Sequence, residues 1–101
     1  MVSRLDLHRI LESIPGVKKA YFQPPESVKL VYPCIIYNIS RISSDYADNK
    51  KYFNRTSYSL TVIDRDPDSK IPAELLKLDF CTFDRFFVSD NLNHFVLTIY
   101  F

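Results

Sequence analysis

The chain has 101 residues, 47% hydrophobic and 25% charged, with one glycine, no tryptophan, eight phenylalanines and seven tyrosines. That length suits a single domain over residues 1–101 burying about 60–70% of its unfolded surface, and the near-average composition favours neither a disordered nor a membrane-embedded class. Thirteen basic against twelve acidic residues leave a formal net charge of +1, which argues against a polyanion as the main partner.

The N-terminal stretch MVSRLDLHRILESIPG predicts a helix over residues 3–14. Ser3 is a candidate cap with Asp6 three positions on, and Leu7, Ile10, Leu11 and Ile14 fall on one helical face. Pro15-Gly16 ends it. The stretch is amphipathic and charged, unlike the apolar core of a secretory leader, and no segment approaches the roughly 20 apolar residues of a membrane span. A chain made in cytoplasm is the expectation, with the sequons at Asn38 and Asn54 then fortuitous.

Residues 17–22 (VKKAYF) are a short strand candidate. QPPES follows as a turn whose prolines exclude regular pairing, and residues 28–32 add an extended piece. From Tyr32 to Ala47 a long β-branched and aromatic run puts Ile35, Tyr37 and Ile39 on one face and Ile36, Asn38 and Ser40 on the other. Its partner is residues 55–64, where Tyr58, Leu60 and Val62 alternate with Ser57, Ser59 and Thr61. The polar stretch between them reads as the tip of a long antiparallel hairpin, with Asp48-Asn49 as the bend. Such an arm exposes strand edges that a neighbouring subunit naturally covers.

After the acidic ladder Asp64, Asp66 and Asp68, Ser69 is a candidate cap and Pro72 a first-turn residue of a short helix reaching about residue 78. A second hairpin closes the chain: Phe80 to Val88, a turn at Ser89-Asp90-Asn91, then His94 to Phe101. The predicted fold is α+β, a mostly antiparallel sheet with a long hairpin arm and two helices, in the order α-β-β-β-α-β-β.

Few residues invite chemistry. The ladder matches the first three ligands of a calcium-binding loop, but Ser69 stands where the sharp turn needs glycine and Leu75 where a bidentate glutamate belongs. A corner whose acids lie before a helix N-terminus accounts for the same residues, so no metal or other cofactor is expected. Cys34 and Cys81 lack zinc-site spacing and sit among apolar residues, as buried free thiols do. His8 and His94 have no nucleophile beside them in a recognisable elbow, and one glycine excludes phosphate-cradling loops. Catalysis is not expected. The basic and aromatic residues Arg41, Tyr46, Lys50, Lys51, Tyr52, Phe53, Arg55 and Tyr58 resemble a single-strand-binding surface. Asp45 and Asp48 among them favour a complementary protein surface over a specific nucleic acid.

The stretches YPCIIYNISRISSDYADNKKY, YSLTVIDRDPDSKIPAELLKL and FDRFFVSDNLNHFVLTIYF together resemble small tail-completion or tail-terminator proteins of long-tailed, siphovirus-like bacteriophages, over roughly residues 32–101. The resemblance implies a structural virion protein that forms a ring, usually of six copies, at the head-proximal end of the tail tube. There it would end tube polymerisation and meet a neck or head-completion protein. Head-tail connector proteins are close competitors, and a small nucleic-acid or ligand-binding module is a third reading. The family transfers no functional residue by position. From the residues themselves, the expected subunit contacts are the arm (Asp45, Tyr46, Asp48, Lys50, Lys51, Arg55) and the acidic corner (Asp64, Asp66, Asp68).

Overall fold

The computed structural model describes the backbone of residues 4–47 and 50–101 and the side chains of residues 4–42 and 56–101. The elements are α1 (Arg4–Ser13), β1 (Lys19–Phe22), β2 (Cys34–Ala47), β3 (Lys50–Asp64), α2 (Ile71–Leu75), β4 (Cys81–Ser89) and β5 (Leu92–Tyr100). This is the expected α+β order. The five strands form one sheet, β1-β2-β3-β5-β4, antiparallel except for β1 beside β2.

Alternation decides what each face buries. Residues paired across neighbouring strands share a face, so Ala20, Ile35, Val62 and Phe95 line one row and Phe22, Tyr37, Leu60 and Leu97 the next. Leu7 and Leu11 of α1 and Ile71 and Leu75 of α2 pack on these rows, and Tyr37, Leu60, Val62 and Leu97 are fully buried. Each such side chain contributes about 1.5–3 kcal/mol of transfer free energy. Gly16, at φ +94°, turns the chain out of α1, and a side chain there would also sit in a left-handed conformation. On the opposite face a smaller cluster of Tyr21, Cys34 and Ile63 is covered by Leu30 and Tyr32 from the β1–β2 connection.

Several expectations need correction. Residues 28–32, expected only as an extended piece, pair with no strand; Leu30 and Tyr32 cover the second face, and a cis Tyr32–Pro33 bond precedes β2. The first strand begins at Lys19, not residue 17. Helix α2 stops at Leu75, and its N-cap is Lys70 with no side-chain cap bond. Ser69, the expected cap, lies one residue earlier and accepts a 3.4 Å bond from the Ile71 N–H. Ile39 does face the same way as Tyr37, pairing with Tyr58, but a bulge at Ser40 carries it past the core and leaves it 43% exposed. Ser3 and the Asp48-Asn49 bend lie outside the described residues.

The second hairpin turns through Asp90 and Asn91, at φ 54° and 62°. Two consecutive left-handed residues match the right-handed twist of the strands they join, and aspartate and asparagine are the non-glycine residues that tolerate that conformation best. The long axis of the molecule is 51 Å against 28 and 23 Å across it, because β2 and β3 run 14 and 15 residues.

Candidate functional site

Three surfaces differ from an ordinary solvated exterior. The first is the ribbon made by β2 and β3. On its outer side β2 is paired with β1 only as far as Tyr37, and β3 is paired with β5 only from Ser57 onward. Beyond those points the two strands continue together to the Ala47–Lys50 pair. Among the described residues no third strand flanks them. The expected contact residues Asp45, Tyr46, Lys50, Lys51 and Arg55 lie on this ribbon, with Tyr46 opposite Lys51 and Asp45 opposite Phe53. Asp48 lies outside the described residues.

The second surface is the acidic corner between β3 and α2. The Asp64 carboxylate accepts the Asp66 N–H at 3.0 Å, and the Asp66 carboxylate accepts the Asp68 N–H at 2.9 Å. Two successive turns closed by aspartate side chains therefore bend the chain. Asn93 braces the bend by donating from Nδ2 to the carbonyls of Asp64 and Arg65, both at 3.2 Å. Asp64 is buried, whereas Asp66 and Asp68 are exposed. The structure thus separates the three acids, leaving only the latter two for a partner.

The third surface was missed at the sequence level. Strand β4 is the bare outer edge of the sheet, and all of its residues after Cys81 are exposed. Phe83 and Phe86 stand out on the helix-bearing face at 45% and 46% exposure, and Phe87 on the other face is stacked on His94 at 4.6 Å. Phe80, at φ 61°, leads into the strand with 73% of its surface in solvent. Beside it an open groove of about 380 Å³ runs between Ile10, Leu78, Phe80, Ile99, Tyr100 and Phe101. An exposed edge with several aromatic side chains and only two charges of its own is what most sheet proteins avoid.

The remaining chemistry-bearing side chains are engaged in packing. Tyr37 is wholly buried, accepts a bond from Arg4 Nη1 at 3.2 Å and lies 2.6 Å from His8 Nδ1. His8 Nε2 sits 3.5 Å from Glu12, which also accepts the Ala20 N–H at 3.4 Å. The row ties α1 to the sheet. Burial pushes the Tyr37 hydroxyl pKa upward, with Arg4 opposing the shift. Cys34 is fully buried as expected, but Cys81 on the edge strand is only half-buried. Burial raises both thiols to about 11, and the Asp84 carboxylate adds to the effect at Cys81. Among the described residues no helix is long and apolar enough to cross a membrane. No protein-family model matches the chain, and no curated protein matches it.

Proposed function

We propose that this chain is a non-enzymatic virion protein that closes into a ring, of six copies as in the family it resembles, at the head-proximal end of a phage tail tube. The ring ends tube polymerisation and joins the tail to a neck protein. The observation that carries this reading is the two-stranded ribbon projecting beyond its flanking strands. An isolated ribbon of two strands is marginal in water and leaves two unpaired edges, so a neighbouring molecule is its natural cover. A ring needs two different patches on each subunit. The ribbon, with Lys50, Lys51 and Arg55 in its sequence, and the exposed Asp66 and Asp68 of the corner supply a pair of opposite charge.

The test is absolute mass in solution together with the length of tubes polymerised from the cognate tail tube protein. A discrete particle of six chains, or of twelve where two rings also pair through a two-fold contact, and tubes capped short are the expected results. Triple charge reversal (Lys50→Glu, Lys51→Glu, Arg55→Glu) is expected to abolish both. A chain that stays monomeric alone and with tube protein, leaving tube length unchanged, overturns the reading. A ring that binds neck protein but never limits tubes assigns the chain to the connector between head and tail instead.

A further inference from the structure

The β4 edge carries a pattern that the ring does not use. Its centre reads Phe83-Asp84-Arg85-Phe86, and Asp84 and Arg85 are the only charges between Cys81 and Ser89. On a regular strand, residues three apart point to opposite faces. Here the register against β5 shifts between Phe83 and Arg85, so that Phe83 pairs with Leu97 and Phe86 with Phe95. Leu97 and Phe95 lie two apart on one strand, which brings Phe83 and Phe86 to the same face. Asp84 turns to the other face, where it accepts a bond from the Thr98 hydroxyl at 2.5 Å, and the Arg85 guanidinium lies 5.7 Å from the Phe87 ring centre on that face.

We infer that the free chain pairs with a second copy of itself, β4 against β4, antiparallel about a two-fold axis between Asp84 and Arg85. In that register Asp84 of each copy faces Arg85 of the other, and Phe83 faces Phe86, each pair occurring twice. Opposite charges meet on one face and aromatic side chains on the other, which are the cross-strand pairs that favour sheet association. The bulge does not obstruct this pairing. A bulge usually spoils an edge by throwing it out of register with a regular strand, whereas here the irregularity of one copy meets the same irregularity in the other. No other antiparallel register places both charges opposite their complements. The opposite edge of the sheet is closed to the same use: β1 is four residues long, and its Ala20 N–H is taken by Glu12.

This inference does not rest on the ring. A two-fold contact is isologous and a ring of single polarity is built from heterologous contacts, so the two are separately testable. Charge exchange reads the pairing directly. Asp84→Arg and Arg85→Asp each place like charges opposite one another twice, and each is expected to weaken self-association by about 100-fold. The double exchange, Asp84→Arg with Arg85→Asp, restores the opposition and is expected to recover the wild-type mass. Light scattering on a sizing column, with far-ultraviolet circular dichroism to establish folding, reads all four proteins.

A second measurement is independent of any charge effect on folding and of any larger assembly. The same register sets residue 88 opposite Cys81 of the other copy, within the Cα separation that a disulfide spans. Val88→Cys is therefore expected to give a covalent dimer under mild oxidation, and Cys81→Ser in that background to abolish it. Single exchanges with the wild-type mass, a double exchange that fails to recover it, or no Cys81-dependent covalent dimer would each overturn the pairing.

Discussion

Replacing Tyr37 with phenylalanine isolates what fastens α1 to the sheet. The aromatic contacts with Phe22 and Tyr58, at 5.0 and 6.1 Å between ring centres, are kept, so the substitution removes only a hydroxyl. That hydroxyl lies 2.6 Å from His8 and accepts one charged donor, Arg4, at 3.2 Å. A neutral hydrogen bond contributes about 0.5–1.5 kcal/mol net and one to a charged group about 1.5–3 kcal/mol. The loss is expected at the lower end of their sum because Arg4 and His8 are only part-buried and regain water, and because the buried hydroxyl no longer has to be desolvated. About 2 kcal/mol follows, which lowers the melting midpoint by roughly 8–16 °C in a domain this size. Urea unfolding at fixed protein concentration is the assay, since self-association would otherwise contribute. An unchanged slope with a lower midpoint supports the account. A loss below about 0.5 kcal/mol, the scatter of ordinary surface substitutions, would mean that Leu7 and Leu11 hold the helix by packing alone.

Two other outcomes follow from the turn at Asn91 and from the cysteine thiols. Asn91→Gly relieves a non-glycine residue held at φ 62° and is expected to raise stability by roughly 0.5–1 kcal/mol in thermal unfolding; a loss would mean that the Asn91 side chain itself holds the turn. Both cysteine thiols are protonated well above neutrality in the folded chain, with values of about 11. A group whose folded value lies above its unfolded value of about 8.5 stabilises fully below that lower value and loses its contribution as pH rises toward the upper one. Stability is therefore expected to fall between about pH 8.5 and 11 by denaturant titration. Cys34→Ala should flatten part of that fall, and an identical profile in the variant would remove the thiol as its cause.

Most of the architecture was legible because it depends on local pattern. The alternation around Tyr58, Leu60 and Val62 marked a half-buried strand, and all three are buried. Ser89-Asp90-Asn91 marked a tight turn because few other residues accept the left-handed backbone found at Asp90 and Asn91. Pro72 and the leucines after it marked α2, but its early stop at Leu75 did not show, since Leu76 and Leu78 continue an apolar run that the turn toward β4 interrupts. The β4 surface stayed hidden for a different reason. FCTFDRFFV reads as the first strand of a hairpin, and only the strand order reveals that it is the outermost one. Periodicity tells which way a side chain points, not which strand stands next. The same limit applies to the acidic corner, where the ladder gave no sign that Asp64 is buried against Asn93 while its two successors are not.

Four of the five strands are two local hairpins joined along one seam, and this sets an order on folding. Strands β4 and β5 close across a two-residue turn, from Ser89 to Leu92, whereas the nearest residues of the β3–β5 seam, Asp64 and Asn93, lie 29 apart in sequence. Loop closure costs more entropy for the longer connection, so the terminal hairpin is expected to form first, on the microsecond scale of hairpins, and to be held once it docks. Docking covers β5 and leaves β4 as it was. The phenylalanine edge is thus exposed from the earliest hairpin to the finished monomer, and no step of folding hides it. For a chain produced in many copies at once, the competition that matters is then between orderly association and aggregation through that edge, and it is decided by concentration and time.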